Sequence, residues 1–578
     1  MKSILTNNWI CTNRPISCNL PVCLEVQNFF IYADKTNETF QQDILLYDGY
    51  MLPRTNSQYA AVNNEKVLGE KILRCNHTQW LKEIKGSFCG CKVSDHKIML
   101  FNDPLNIRKI FYIETDTIVA FSNSISLLSR VTKLQISKTN IAIHCLFNHF
   151  VNYRTLYENV HYCHPASIIE IHDGTIQKNT YWSASVLTEN RSSPGMTKKD
   201  FAMFFSDTIE HYLRFVSPRS IAMTLTGGAD TRLILSALLH KKRRPHVFTF
   251  GNPQCYDNII AREIAQKNAL HHSNYYVADP TPEWVQNKTH QIISFGNTLI
   301  NSFRAHRLDA IEQDCSLYDY NMLFTGFMGG DYIKGAPMDD YIVTDLIRRW
   351  WTEKDKKHIL TEILDKNFLL YSSSTIDELH DIIVSLPFFT DHPKINEFNV
   401  VHYLIGMVHD TQDITIFNQY VPYVMHPFLD IDILIALFST RYNMMYHHNT
   451  AKNPLKKIQG PMLSAYAINY LYPPLADIFF SRFYSPKDYL RGPLWYLTKR
   501  SLYKVISPSY PPGFPYGKWF KDYITEAIPK LYNTPLTEIF NLQKMTHTLQ
   551  TLSPIPTREK DWHRFNHAVL MYKYINHF

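Results

Sequence analysis

Two glycines and one aspartate lie together in the segment LTGGADTR, residues 225–232. Gly227 and Gly228 can take positive φ and admit a ligand close to the backbone, and a following helix offers N–H groups to an anion. The spacing fits neither a Walker A loop nor a dinucleotide fingerprint. Asp230 would repel a phosphate unless a cation such as Mg²⁺ lay between them. The segment therefore predicts a magnesium-dependent phosphate loop, and the alternative is a tight turn with an aspartate cap.

The elements around this segment are predicted to alternate between strand and helix. Residues 220–226 predict a buried strand and 232–242 a helix, followed by a strand at 246–251, an amphipathic helix at 257–270 and a strand at 273–278. Repeated βαβ units imply a parallel sheet with right-handed crossovers, which binds ligands at the carboxyl ends of its strands. The glycine pair lies at such an end.

The first 200 residues show a different pattern of short β-type runs, among them KIMLFND, FYIETDTIVAFS and ASIIEIHDGTIQKNTYW. Asp173-Gly174 is the hairpin turn of the last run. We expect a layered all-β or α+β domain there. Residues 285–500 are predicted to be mostly helical, and PSYPPGFPYG (508–517) to be a loop before a helical tail.

Composition excludes several classes of protein. The net charge of +7 on 578 residues favours anionic ligands but, without a concentrated basic patch, does not favour nucleic acid. The ten cysteines include no C-x-x-C pair, so reduced thiols in the cytoplasm are the simplest expectation. No signal-peptide pattern and no run of 18 apolar residues is present, so we expect no membrane partner.

Three segments in order, LTGGADTR, LFTGFMGGDYIKG (323–335) and YVMHPFLDIDILIALFS (423–439), resemble the synthetase domain of the asparagine synthetase family. That family has S-G-G-x-D-S, G-x-G-x-D-E and V-P-F-L-D at these places. KGSFCGCKVSDHKIMLFNDPLNIRKIFY (85–112) is similar to the family's N-terminal G-x-F-A-F and R-D-x-x-G-x-R-P-L-Y-Y patterns. The likeness runs from about residue 45 to about residue 440.

The resemblance implies an α/β protein of three parts. Residues 1–195 would form an Ntn-type αββα glutaminase-like sandwich, and residues 200–500 an ATP-pyrophosphatase parallel sheet of the adenine nucleotide α-hydrolase type with a helical C-terminal part. Residues 501–578 would be a helical extension of the synthetase domain. The sequence leaves open whether the protein forms a homodimer.

It also implies roles for individual residues with ATP and Mg²⁺ as cofactors. Asp230 and Asp331 fall on the two metal-binding, catalytic positions. Asp257 matches an acidic position, with a helix N-cap as the alternative. The residues implied to hold the nucleotide are Leu225, Thr226, Gly227, Gly228, Asp230, Thr231, Phe250 and Gly330. Gly326, Gly329 and Gly330 match the glycines of the family's second pattern if one residue has been inserted.

The implied reaction is carboxylate activation. A substrate carboxylate attacks the α-phosphorus of ATP, pyrophosphate leaves, and a nitrogen nucleophile converts the acyl-adenylate to an amide and AMP. The carboxylate would come from aspartate or from a peptide or metabolite acid.

Departures from the family pattern limit what the resemblance implies. Position 2 is Lys2, the first cysteine is Cys11, and DGYM (48–51) replaces the glutamine-binding N-G-E, so we expect the glutaminase site to be inactive unless processing exposes Cys11. Tyr332 replaces a glutamate and Met425-His426 replaces R-V, which puts aspartate in doubt. The candidates for the family's adenylation lysine are Lys456, Lys457 and Lys487.

With an intact ATP loop and a glutaminase site expected to be inactive, the chain resembles the family's β-lactam synthetases and lasso-peptide macrolactam synthetases, which close an amide within one molecule. Two further hypotheses stay open. One is a tRNA-modifying enzyme of another pyrophosphatase-loop class, and the other is a non-catalytic homologue that binds or scaffolds.

Overall fold

The computed structural model describes residues 7–40, 43–94, 97–147, 149–189, 195–295, 300–334, 346, 349–350, 352–386, 389, 412–442, 459–480, 484–506, 510–514, 516–551 and 559–575. Within these ranges the chain forms two six-stranded antiparallel sheets and one five-stranded parallel sheet.

The N-terminal part is a sandwich of the two antiparallel sheets. Its strands are β1 (Trp9–Thr12), β2 (Val22–Val26), β3 (Phe29–Ala33), β4 (Glu38–Phe40), β5 (Asp43–Pro53), β6 (Ile84–Ser94), β7 (Lys97–Asn102), β8 (Phe111–Glu114), β9 (Val119–Ser122), β10 (His161–Tyr162), β11 (Ser167–His172) and β12 (Thr175–Thr180). The spatial orders are β10-β8-β9-β1-β3-β2 and β12-β11-β7-β6-β5-β4. The predicted hairpin is confirmed, since Asp173 and Gly174 both take positive φ between β11 and β12.

Side chains along β5 and β6 alternate between the two faces of their sheet, so each face contributes to a different apolar core. Leu46 and Cys89 pack between the two sheets, whereas their neighbours Leu45 and Phe88 point to the opposite face. That opposite face packs against helices of the parallel sheet, so both halves of the chain share one apolar core.

The helices follow in chain order. They are α1 (Glu65–Leu73), α2 (Trp80–Glu83), α3 (Ile125–Leu128), α4 (Lys138–Phe147), α5 (Val186–Glu189), α6 (Lys198–Val216), α7 (Ala229–His240), α8 (Tyr256–Lys267), α9 (Pro282–Ser294), α10 (Ala305–Leu317), α11 (Gly329–Lys334), α12 (Lys356–Lys366), α13 (Ser373–Ser385), α14 (Gln412–Asn418), α15 (Ile431–Phe438), α16 (Gln459–Leu471), α17 (Pro473–Ala476), α18 (Pro486–Leu490), α19 (Pro493–Ile506), α20 (Tyr516–Leu531), α21 (Leu542–Thr551) and α22 (Glu559–Ile575). Short 3₁₀ turns occupy Ser302–Arg304, Pro427–Leu429 and Pro535–Glu538.

Helices cover the outer faces of the sandwich. Helix α1 packs on β4 and β5, and α3 packs on β8, β9 and β1. The C-terminal helices α20 and α22 share a core with α4 and with the outer face of the first sheet. Among the described helices, none combines the length and apolar character needed to cross a bilayer. All ten cysteines are free thiols.

The parallel sheet contains β13 (Ile221–Thr224), β14 (His246–Phe250), β15 (His272–Tyr275), β16 (Met322–Phe324) and β17 (Tyr423–Met425). Its order is β15-β14-β13-β16-β17. The chain moves outward from β13 to β15 and then crosses to the other side of β13 to form β16. A crevice opens at such a reversal, at the carboxyl ends of the two neighbouring strands.

The strand–helix alternation predicted for residues 220–278 is confirmed, with one difference that matters. Helix α7 was predicted from residue 232, but it begins at Ala229, with Gly228 as its N-cap. Asp230 and Thr231 therefore lie in the first helical turn rather than in the loop, because the glycines complete the turn in two residues.

A buried ion cluster joins the sandwich to the parallel sheet. Lys85 on β6 is 1% exposed, and its Nζ lies 2.8 Å from Asp430 Oδ2 and 3.1 Å from Asp432 Oδ2. Arg54 binds Asp432 at 2.7 Å, and the Tyr212 hydroxyl donates to Asp430 at 2.5 Å. Burial disfavours the charged amine, but the two carboxylates outweigh it and raise the pKa of Lys85.

We predict that Lys85→Met destabilises the protein by about 3–5 kcal/mol, because it leaves two buried carboxylates without their cation. Urea unfolding measures the change. Lys138→Met is the control, since Lys138 of α4 also pairs with a carboxylate distant in sequence, Glu538, but in a mostly exposed ion pair. Equal effects of the two substitutions would contradict a role for burial.

Candidate functional site

The segment LTGGADTR forms the turn between β13 and α7 at the carboxyl end of the sheet. The hydroxyls of Thr226 and Thr231 lie 3.2 Å apart across this turn, and the Gly228 N–H donates to Thr226 Oγ1 at 3.2 Å. Gly228 is the N-cap and no side chain caps the helix, so the alternative of an aspartate cap is wrong for Asp230. The turn is a compact ring of hydroxyls and amides at the positive end of a twelve-residue helix.

Asp257 fixes this turn from the neighbouring helix. Its carboxylate accepts a hydrogen bond from the Gly227 N–H, and a Cβ at Gly227 would lie 2.9 Å from Asp257 Oδ1. Burial raises the pKa of Asp257, and the Gly227 amide offsets part of that rise. The N-cap of α8 is Cys255, so the alternative role of Asp257 as an N-cap is wrong.

The second glycine segment lies directly against the first. A Cβ at Gly326 would come within 2.8 Å of Thr231 Cγ2, and a Cβ at Gly329 within 2.7 Å of both the Asp230 Cβ and the Phe428 ring. Real Cβ atoms do not approach so closely, hence only glycine fits at either position without a shift. The structure thus brings the two predicted loops together at the ends of β13 and β16.

Asp331 is the third residue of α11, and Gly330 the second, just beyond Gly329 at the contact with Asp230. The side chain of Asp331 lies outside the described part of the structure, so its pairing with Asp230 on a metal stays a prediction. In the described ranges, no group of three or more His, Cys, Asp or Glu side chains could hold a metal ion. The chemistry nevertheless fits Mg²⁺, which binds through one or two carboxylates together with substrate phosphates.

Leu225 and Phe250 lie at the ends of neighbouring strands, as predicted. The Leu225 N–H donates to the Phe248 carbonyl at 2.9 Å. The Phe250 ring is 6.3 Å from the ring of Phe514, and the Asn252 N–H donates to the Gly513 carbonyl at 2.9 Å. The proline-rich segment of the C-terminal part therefore covers the end of β14, where the resemblance places adenine.

A histidine missed as a functional candidate lies beside the second loop. Thr325 follows β16, and its Oγ1 is 2.6 Å from Nδ1 of the buried His426. Burial, with a smaller contribution from Arg108, lowers the pKa of His426 to about 3. The imidazole is therefore neutral at pH 7. It lines a cavity of about 20 Å³ with Tyr50, Tyr212 and other residues, which has room for about one water molecule.

The remaining candidates are placed elsewhere. Lys487 on α18 is half-exposed and pairs with Asp477 at 2.6 Å, while Lys456 and Lys457 lie outside the described residues. Cys11 lies inside β1, paired with β3 on one side and β9 on the other, and is fully buried. Burial raises the pKa of its thiol. Processing before Cys11 would therefore cut within a central strand.

Arg232 was quoted in the motif but given no role, and it contacts the first loop directly. It is completely buried, and its Nη2 donates to the Gly227 carbonyl at 3.1 Å. A charged residue among Leu233, Ile234 and Leu235 on a buried helix was the available signal.

No family model matches the chain, and no curated protein matches it. One similar solved structure is that of glutamine phosphoribosylpyrophosphate (PRPP) amidotransferase from B. subtilis complexed with ADP and GMP. It has 10% identity and a TM-score of 0.19, and the match covers 44% of this chain and 68% of that one. Another is the allosteric regulatory enzyme of purine biosynthesis, at 9% identity and a TM-score of 0.19, with 43% and 62% covered. The match thus spans less than two thirds of the second enzyme, and such TM-scores are too low to establish a shared fold.

We predict that Gly329→Ala pushes the two loops apart, with a loss of about 1–3 kcal/mol in the free energy of unfolding from overpacking. Gly513→Ala is the control, since its Cβ would meet only Cys255 Sγ at an ordinary 3.8 Å. Chemical unfolding of both variants measures the difference. An unchanged midpoint in Gly329→Ala would mean that the loops are not in contact.

We predict a pH effect at His426. Because the folded pKa lies below the ordinary 6.5, the unfolded chain binds the proton more readily, and stability falls as the pH drops from 6.5 towards 3. His426→Asn should remove this component, which is worth up to about 1.4 kcal/mol per pH unit. Unfolding midpoints between pH 7.5 and pH 5 test it, and parallel profiles for the two proteins would refute it.

Proposed function

We propose that the chain is an ATP-dependent amide-forming ligase of the asparagine synthetase type, which activates a carboxylate as its adenylate and releases AMP and pyrophosphate. The observation that carries the proposal is the contact between two glycine loops at the ends of β13 and β16, each followed by a helix with one aspartate in its first turn. The reversal of strand order places both loops at the crevice where such sheets bind ligands.

The first loop has the chemistry for a polyphosphate. The hydroxyls of Thr226 and Thr231 and the amides at the start of α7 hold phosphate oxygens, while the helix dipole favours their negative charge. Such donors are already in place when charge develops on the departing pyrophosphate. Mg²⁺ held by Asp230 and Asp331 would neutralise the phosphates and stabilise that charge.

The nitrogen donor is proposed to be ammonia or an amine of the substrate. Cys11 is buried inside a strand with a raised pKa, which supports a glutaminase-like sandwich that no longer hydrolyses glutamine. His426, which with Met425 replaces the family's R-V, pairs with Thr325 beside the second loop. This change on the acceptor side puts aspartate in doubt and supports a peptide or metabolite acid, with ring closure to an amide.

The test is release of pyrophosphate and AMP from Mg-ATP with aspartate and ammonia, followed by peptide acids. Asp230→Ala should lower the rate by on the order of a hundredfold or more, because the ion that offsets the phosphate charge loses a ligand. Asp207→Ala, an exposed aspartate on α6, should leave the rate unchanged.

Carboxylate substrate labelled with ¹⁸O sharpens the test. Attack of the carboxylate on the α-phosphorus must leave one labelled oxygen in AMP, whereas simple hydrolysis of ATP transfers none. Binding of Mg-ATP without turnover on any acid would favour the non-catalytic homologue. Turnover that requires tRNA would favour the nucleic-acid-modifying class.

A further inference from the structure

Arg232 donates hydrogen bonds to four backbone carbonyls. Its Nη2 donates to Gly227 at 3.1 Å and to Phe479 at 2.9 Å, and its Nη1 donates to Ile478 at 2.6 Å and to Leu475 at 3.4 Å. The side chain points back towards the start of α7, as helical side chains do. One guanidinium therefore ties the phosphate loop to residues 475–479, some 240 positions later in the chain.

The bond to the Gly227 carbonyl fixes the orientation of one peptide plane. The C=O of Gly227 and the N–H of Gly228 belong to the same planar trans peptide and point in opposite directions. With the carbonyl turned towards Arg232, the N–H is turned into the loop, where it donates to Thr226 Oγ1 at 3.2 Å. Rotation of this plane would bury the N–H and turn the carbonyl oxygen towards an incoming anion.

The positive charge of Arg232 also favours an anion at this loop. The side chain is completely buried, its guanidinium carbon lies 4.4 Å from the centre of the Phe480 ring, and no ion pair among the described residues involves it. Burial lowers the pKa of Arg232 and the more distant Glu263 carboxylate offsets part of that effect, so an anion bound on the other side of the loop would further reduce the cost of burying the charge. The carbonyl oxygens that accept its hydrogen bonds carry only partial negative charge.

We propose that Arg232 is a positioning residue of the phosphate site, which holds the Gly227–Gly228 peptide in its anion-binding orientation and places a full positive charge behind it. The inference rests on the proposed function for the identity of the ligand, a magnesium polyphosphate. The orientation of the Gly227–Gly228 peptide by Arg232 does not depend on which ligand binds.

The test compares the natural protein with Arg232→Met and Arg232→Lys. Arg232→Met removes the charge and all four bonds, whereas Arg232→Lys keeps the charge but cannot reproduce the planar fork. Arg244→Met is the control for loss of an arginine charge, because Arg244 is exposed and donates to a backbone carbonyl away from the loop, that of Asn268 at 2.7 Å. Three quantities are measured for each protein: the Kd for magnesium pyrophosphate, hydrogen exchange of the 224–232 peptide, and the unfolding midpoint.

We expect Arg232→Met to weaken pyrophosphate binding by at least about tenfold and to raise exchange of the loop amides, with Arg232→Lys in between. The control should bind as the natural protein does. If Arg232→Met does not fold, the test rests on Arg232→Lys, in which weaker pyrophosphate binding and faster loop exchange are the expected results.

A lower unfolding midpoint with unchanged affinity and unchanged loop exchange would overturn the inference, since Arg232 would then only cap the carbonyls of residues 475–479. If the natural protein binds neither pyrophosphate nor ATP, the proposed function fails. The exchange measurement still decides the positioning role in that case, because it needs no ligand.

Discussion

The absence of side chains at Gly326 and Gly329 is the constraint on which the site depends. Strands β13 and β16 are parallel neighbours, so the turns that follow them must emerge within about 5 Å of each other. A Cβ at either glycine would lie within 2.8 Å of atoms of Asp230 or Thr231. Two helices can start side by side here only because one of them presents bare backbone to the other, and both aspartates are carried by these two helices as a result.

Two buried cations stabilise this arrangement in different ways. Lys85 lies between Asp430 and Asp432, so its charge is neutralised within the protein, and the cluster holds the sandwich against the helix that follows β17. Arg232 contacts carbonyl oxygens, and its charge is not neutralised by an ion pair among the described residues. The first cation is therefore suited to joining two parts of the chain, and the second leaves a positive charge beside the turn between β13 and α7.

Local sequence predicted the elements of the parallel sheet and the turn that carries Thr226 to Thr231, because apolar periodicity and glycine placement act over a few residues. It placed the start of α7 three residues late, since the Gly228 N-cap completes the turn sooner than the apolar pattern suggests. The contact of Asp257 with the Gly227 amide and the pairing of Thr325 with His426 could not be predicted, because they join residues 30 or 101 positions apart. Such contacts are set by the packing of whole elements.

The C-terminal part illustrates the same limit most clearly. Its proline-rich segment was predicted as a loop, yet nothing in its composition indicates where a loop lies. In the structure Gly513 accepts from Asn252 and Phe514 packs near Phe250, while residues 475–479 bind Arg232 from the other side. Segments from beyond residue 470 therefore contact both the end of β14 and the start of α7. A nucleotide bound at these two strand ends would touch a surface built jointly by the sheet and by the last hundred residues, so the shape of the site belongs to the whole chain.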